Sequence, residues 1–348
     1  MIICWFGIYS PNFGRNKIYI KALKKAGHKV IECQDNSPGL IKYWRLWNKH
    51  RPIGDSYDVM IVGYPGHVVV PLAKFLSKKL VCVDALGSLY DAEINSHYPS
   101  FFRKIKSKIV DFLMIKYADK VFLESEEQKK FFEDRFGKSD KYSVVYTGAD
   151  EDLFISIPFG EPDRQNIFTV LFRGKLTPES GIMYILEAIN ILKNNNSIYF
   201  KIIGAGYFQE KVREFIEEKE LKNVDFITKF LQDDDLRREI SDADLALGQF
   251  ENNPRLNRTI PHKAFEAFAM GIPYLTLSAP AIKEIAKNDD TAFFIFSGTG
   301  QELAEKIESL SKNPNILDKV SRNALIMFKN EFSFTHISDR IQKAVMLE

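Results

Sequence analysis

Two doubly wound α/β domains, each built on a parallel sheet, are predicted for this chain. Three observations predict them. A length of 348 residues exceeds what one hydrophobic core serves. Short Val- and Ile-rich runs alternate with longer amphipathic stretches from end to end. A polar, Pro-containing segment at residues 156–166 interrupts that alternation once. Continuous apolar runs such as Val59-Met60-Ile61-Val62 suit strands covered on both faces, with the intervening helices as right-handed crossovers.

The strands of the first half are read at Met1–Gly7, His28–Cys33, Asp58–Gly63, Lys79–Asp84, Lys120–Glu124 and Tyr142–Thr147. Those of the second half fall at Phe168–Phe172, Ser197–Ile203, Asn223–Thr228, Asp244–Leu247, Pro273–Leu277 and Ala292–Phe296. The stretch from Leu317 to Met346 reads as two helices broken at Phe332-Ser333-Phe334. The expected domains are therefore residues 1–158 and 159–332, with a helix at 333–348 returning to the first. Ligands of open parallel sheets sit beyond the carboxyl ends of the strands, so a cleft between the two domains is the expected binding place.

Composition excludes several classes. Hydrophobic and charged residues, at 45% and 27%, lie in the ordinary globular range, and no low-complexity tract suggests a disordered arm. Cys4, Cys33 and Cys82 each sit in an apolar run, which fits buried thiols in a reducing compartment, and no Cys/His spacing indicates a metal. Met1–Gly7 lacks a basic region and cleavage site and reads as a strand, not a signal peptide. No apolar run is long enough to span a bilayer. A cytoplasmic protein, or one peripheral to the inner face of a membrane, is expected. Residues 1–160 carry 24 Lys and Arg against 18 Asp and Glu, so an excess of positive charge sits in the first domain.

Three loops carry candidate chemistry. Arg173-Gly174-Lys175-Leu176-Thr177-Pro178-Glu179-Ser180-Gly181 follows the first strand of the second domain and opens a helical stretch near Glu179. Two fixed cations and a helix amino terminus favour a diphosphate, although a solvated turn has the same composition. Ile203-Gly204-Ala205-Gly206-Tyr207 offers a glycine turn where backbone can approach a ligand. Position 209 is Gln, so the dinucleotide fingerprint is incomplete, and a plain strand-to-helix turn reads equally well. The segment Arg258 to Pro273 is the most informative. Pro261 opens a helix that Gly271 and Pro273 stop, and Lys263 and Glu266 share a face. A Lys suits phosphate and a Glu suits a ribose diol; a simple i,i+3 ion pair is the alternative.

These segments resemble the retaining nucleotide-sugar glycosyltransferases of the GT-B fold, two Rossmann-like domains facing across a cleft. Further carriers of the resemblance are Asn223-Val-Asp-Phe226, Ala243-Asp-Leu-Ala-Leu-Gly248, Gly63-Tyr-Pro-Gly-His67, Asp84-Ala-Leu-Gly-Ser-Leu-Tyr-Asp91, Tyr117-Ala-Asp-Lys-Val-Phe-Leu123 and Tyr146-Thr-Gly-Ala-Asp150. The resemblance implies transfer of a sugar from a nucleoside-diphosphate donor to a hydroxyl of a glycan or lipid-linked acceptor, with retention and without a metal or other cofactor. It implies that Glu266 holds the ribose and that Lys175 stands where the family has a diphosphate-binding Arg. The family's second phosphate Lys falls at Ser180, leaving that charge to Arg173 or Lys263. The first Glu of the Glu-x7-Glu pattern falls at Arg258, so sugar identity does not transfer. The donor-binding set is Arg173, Lys175, Gly204, Gly206, His262, Lys263 and Glu266.

On the acceptor side, Asp84 and His67 each follow or end a strand of the first domain and are the candidates to orient or deprotonate a hydroxyl; a helix cap and a packing residue are the respective alternatives. Asp242-Ala-Asp244 is read as structural, and Asp233-Asp234-Asp235 as helix capping. Sugar-nucleotide 2-epimerases and a non-catalytic, scaffolding pair of such domains share the architecture. Lys42–Arg51 and Phe101–Phe112 interleave aromatics with bases, as interfacial membrane helices do. Helices that simply bury those aromatics look the same, and that core reading is preferred here.

Overall fold

A computed structural model describes residues 1–96, 99–156, 167–229 and 231–346. The chain divides into two compact units. One holds Met1–Asp150 and the segment from Phe332 onward, the other Glu151–Glu331. The boundary expected at 158/159 falls outside the described residues.

In the first unit the order is β1 (Ile2–Gly7), α1 (Gly14–Lys25), β2 (Lys29–Gln34), α2 (Ile41–His50), β3 (Val59–Val62), α3 (Val70–Leu76), β4 (Leu80–Leu86), α4 (Leu89–Ile94), α5 (Phe101–Tyr117), β5 (Lys120–Leu123), α6 (Glu126–Phe136) and β6 (Tyr142–Val144). The strands pair in parallel in the order β2-β1-β3-β4-β5-β6. Alternation along β1 shows how two cores form on one sheet. Cys4 and Phe6 point to a cluster that takes Leu46, Val70, Ala73, Met114 and Phe132 from α2, α3, α5 and α6. Ile3 and Trp5 point the other way, to Tyr19 and Leu23 of α1.

The second unit repeats the pattern with β7 (Phe168–Arg173), α7 (Ile182–Ile191), β8 (Ile198–Ile203), α8 (Gln209–Glu218), β9 (Val224–Ile227), α9 (Asp233–Ser241), β10 (Leu245–Leu247), α10 (His262–Met270), β11 (Tyr274–Leu277), α11 (Pro280–Ile285), β12 (Phe293–Ile295), α12 (Gly300–Ser311) and α13 (Pro314–Glu331). Its strands are parallel in the order β12-β11-β10-β7-β8-β9. The last helix, α14 (Phe334–Met346), belongs to the first unit: Phe334, Ile337 and Ile341 complete the cluster over Tyr19.

Aspartates placed just before strands recur as fasteners. Asp58 accepts from the Ile2 amide at 2.7 Å, Asp119 from Val81 at 2.8 Å and Asp244 from Thr169 at 2.8 Å. Each satisfies an amide at or next to the start of a neighbouring strand. The structural reading of Asp244 is thus a specific bond. Asp233, Asp234 and Asp235 occupy the first turn of α9, where the cap is Gln232; they favour the helix through its dipole, not as caps. The helix expected near Glu179 starts at Ile182 instead, because Pro178–Ser180 forms a 3-10 turn and Gly181 adopts a left-handed φ of 70°.

One expectation is corrected by burial. Of the aromatics of α2 and α5, only Tyr43 packs against the core. Trp44, Trp47, Phe101, Phe102, Ile105, Ile109 and Phe112 are all exposed, while α5 buries only Asp111 and Met114 and α2 only Leu46 and His50. Asp111 explains the inward side of α5: it accepts from Ser88 Oγ at 2.6 Å and from the Leu89 and Tyr90 amides, fixing the start of α4.

The placement of α14 gives a stability prediction. Ile337 has no solvent exposure and lies against Gly148. Ile337→Ala is expected to destabilise the first unit by about 2–4 kcal/mol, read as a lowered urea midpoint of that unit's unfolding.

Candidate functional site

Each strand of the second unit delivers its last residue to the carboxyl edge of the sheet, and β7 delivers Arg173. Leu171 and Phe172, just before it, are buried. Its guanidinium forms an ion pair with Glu266, one turn into α10. α10 is positioned by its apolar face: Ala264, Phe265, Ala267 and Phe268 are buried, which turns Lys263 and Glu266 toward the β7 end.

Lys263 and Glu266 do not pair with each other, so the i,i+3 alternative is overturned. Lys263 Nζ donates to the Gly248 carbonyl oxygen at 2.6 Å and lies 4.1 Å from the centroid of the Phe172 ring. Gly248 and Phe172 were not read from the sequence as part of the site. Gly248 entered the sequence reading only as the end of the motif Ala243–Gly248 and Phe172 only as the end of the expected strand Phe168–Phe172, and the fold alone brings them to Lys263. A Cβ built on Gly174 would lie 3.8 Å from Lys263 Nζ, so the β7 loop passes directly over the ammonium.

The charges act on one another. Burial lowers Arg173 to about 10. Burial, and then the nearby Arg173 guanidinium, pushes Lys263 well below the ordinary lysine value. Two cations thus lie close together with one carboxylate, which only Arg173 engages, an arrangement relieved by an incoming anion. On the same loop Lys175 is exposed and has no ion-pair partner among the described residues. Ser180, at the family's second phosphate position, is 5% exposed and donates to the Thr177 carbonyl at 2.6 Å; it faces inward.

Gly204 and Gly206 serve a different end from the close ligand approach read in the sequence. A Cβ on Gly204 would collide with the Gly174 carbonyl oxygen, and one on Gly206 would lie 2.8 Å from that of Leu176. The two loops are stitched by bonds from Gly174 N to Ile203 O, Leu176 N to Ala205 O and Phe208 N to Leu176 O. These glycines hold the Arg173–Lys175 loop in place by letting backbone pass backbone. His262 is the first residue of α10 and is half-buried.

Residues 156–326 match the family model described as glycosyl transferases group 1. That segment is thus similar to group 1 glycosyl transferases, and the two parallel six-stranded units have the GT-B fold. The loop of Arg173 and the α10 segment both lie inside the matched range. The chain is 26% identical over 219 residues to the amylovoran biosynthesis glycosyltransferase AmsK of Erwinia amylovora, covering 60% of this chain and 51% of that one. It is 20% identical over 312 residues to the chitobiosyldiphosphodolichol beta-mannosyltransferase of Candida glabrata, covering 81% and 68%. For most of the curated relatives it matches, the chain spans about half of their length or less. The fold is similar to that of HepE from Anabaena, solved with UDP, at a TM-score of 0.74, 18% identity and 99% coverage of both chains. Sucrose-phosphate synthase from Thermosynechococcus elongatus gives 0.77 at 14% identity, covering 99% and 98%.

The acceptor-side expectations meet a different outcome. Asp84 and His67 lie in the first unit and neither is exposed. Arg15 Nε donates to both Asp84 oxygens, at 2.9 and 3.0 Å, and its Nη1 to Thr147 Oγ1 at 2.9 Å. His67 Nε2 is 3.1 Å from the Gly87 carbonyl oxygen. A carboxylate sealed under a guanidinium cannot meet an acceptor hydroxyl from solvent, so Asp84 is corrected to a structural residue. His67, equally sealed, packs the loop after β3 against the loop after β4.

Asp84→Asn removes one half of a fully buried ion pair. It is expected to lower stability by about 3–5 kcal/mol in chemical denaturation. An unchanged midpoint would return Asp84 to the acceptor-side set.

Proposed function

We propose that this chain is a metal-independent glycosyltransferase that moves a sugar from a nucleoside-diphosphate donor to a hydroxyl of a glycan or lipid-linked acceptor, with retention of anomeric configuration. The observation that carries the reading is the convergence of Arg173, Lys263 and Glu266 beside the exposed Lys175 at the carboxyl edge of the second sheet. The group 1 match over those residues supports it. UDP is the first nucleotide to test, since HepE was solved with UDP and with UDP-glucose.

Each residue has a task in this reading. Glu266 Oε2 is engaged by Arg173, leaving Oε1 to accept from a ribose hydroxyl. Lys175 and Arg173 face the diphosphate, whose negative charge grows as the anomeric C–O bond breaks. The acceptor oxygen attacks the anomeric carbon from the side the diphosphate leaves. Its proton passes to the departing phosphate oxygen, so no protein carboxylate need act as a base. The preformed cations take the part a divalent ion plays elsewhere. His262, at the head of α10, completes the donor side of the site.

A thermal-shift panel of nucleoside diphosphates and their sugar conjugates tests the proposal. One nucleotide is expected to stabilise the chain, by about 2.7 kcal/mol at a hundred times its Kd, with no change on adding EDTA. Lys175→Ala, at an exposed position without packing, is expected to weaken that nucleotide about tenfold. Silence across the panel, or loss of the shift in EDTA, would refute the donor site as drawn.

The same site predicts a pH dependence. An anion binds the protonated Lys263, and the free protein holds that ammonium only below its lowered pKa. Affinity for the diphosphate should therefore fall as pH rises, and sooner than an ordinary lysine would allow. In Lys263→Met titration calorimetry should show weaker binding and no such decline.

A further inference from the structure

The outer side of α5 is built the wrong way round for a helix facing water. With 3.6 residues per turn, Asp111 and Met114 face the sheet, and the opposite, solvent side presents Phe102, Ile105, Ile109 and Phe112 in an i, i+3, i+4 row. Lys106 and Lys108 flank that row on its two sides, and neither has an acidic partner among the described residues. A surface helix of a globular protein shows the reverse, with charge outward and apolar residues inward.

The neighbouring helices extend the pattern. Leu46 of α2, Ala73 of α3 and Met114 of α5 enter one core cluster, so the three helices lie on the same face of the first sheet. Trp44 and Trp47 of α2 are 62% and 51% exposed, and Phe75 of α3 is 76% exposed. Trp47 and Phe75 meet edge to face at 6.3 Å, joining α2 to α3 on the outside. Between them α2 and α5 carry eight Lys and Arg, against one acid, the buried Asp111.

We propose that this face of the first unit docks on an anionic phospholipid surface, with the rings of α2, α3 and α5 entering the headgroup layer and the lysines meeting lipid phosphates. Exposed Trp and Phe beside Lys are what an interfacial surface requires: rings that gain from leaving water, and ammonium groups on long stems that remain at the phosphate level. Charge decides the occupant. A second copy of this chain would bring the same lysines against these, whereas an anionic bilayer neutralises them. A groove of about 600 Å³ between α5 and α6, lined by Ile109, Phe112 and Phe136 with Lys108, Asp134 and Arg135, gives the face relief in which a headgroup can lie. The proposal does not rest on the transferase reading, because no residue of the second unit takes part.

The chain carries its own reporter. It has three tryptophans, of which Trp5 is fully buried and the other two lie in the proposed surface. The 348-residue chain is mixed with vesicles of phosphatidylcholine, or of phosphatidylcholine with about a third phosphatidylglycerol. Co-sedimentation and a shift of tryptophan emission to shorter wavelength are expected with the anionic vesicles alone, with quenching by brominated lipid and release at high salt. Lys106→Gln with Lys108→Gln should weaken partitioning about thirtyfold, and Phe102→Ser with Ile109→Ser at least about tenfold. All four positions are solvent-facing, so thermal midpoints should hold. Equal binding to both vesicle types, no binding to either, or indifference to both double variants overturns the proposal. So does self-association in light scattering that the same variants abolish, which assigns the face to a second copy. Should a variant fail to fold, the emission and quenching of the unaltered protein still decide.

Discussion

An arginine keeps its charge when buried, so a guanidinium without solvent contact must be neutralised where it lies. Arg15 sets that condition for the first unit. Its partners come from distant parts of the chain: Asp84 at the end of β4, Thr147 just after β6 and the ring of Tyr19 at 4.6 Å on its own helix. One side chain therefore ties the carboxyl ends of separate strands to the start of α1. The ion pair costs desolvation on both sides and returns it only through good geometry, which fits a role in fixing register more than in adding stability. The loops that follow these strands inherit their positions from it.

The second unit treats its charges differently. Arg173 pairs with Glu266 while Lys263 beside it has no carboxylate, and the resulting excess of positive charge is left at the edge of the sheet. Loop packing keeps that excess in place. The glycines at 204 and 206 let the β8 loop support the β7 loop by direct backbone contact, and Gly248 holds Lys263 through its carbonyl. What reads in the sequence as a ligand-binding glycine turn is a scaffold for the cations beside it.

The strands were legible because each is a short apolar run, covered on both faces, and a parallel sheet needs little else to declare itself. All twelve appear within a few residues of their expected places. The α10 segment was legible for a related reason: Pro261 and Gly271 bracket it, and its buried face has helical spacing. Asp84 was misread because its partner Arg15 lies 69 residues away, and no local pattern encodes a salt bridge of that span. The aromatics of α5 were misread because periodicity shows that a helix has two faces, not which one meets the sheet. Asp111 decides that, through bonds to the residues that start α4. Glu266 was readable as a carboxylate on the right helix, but its pairing with Arg173 in place of Lys263 depends on where β7 ends.

The chain crosses back into the first unit for its last helix, and this has a bearing on how the protein is made. On the ribosome the six strands of the first sheet emerge long before α14, which must wait for the whole of the second unit. At about 5–20 residues per second, the delay is on the order of ten to forty seconds. Through that interval the strip around Tyr19, Ile3 and Trp5 lacks the cover of Phe334, Ile337 and Ile341. The second unit, continuous in sequence, can mature in the meantime. A nascent chain stalled or cut short near residue 331 would hold a finished second domain and a sticky first one, a natural substrate for chaperones and proteases.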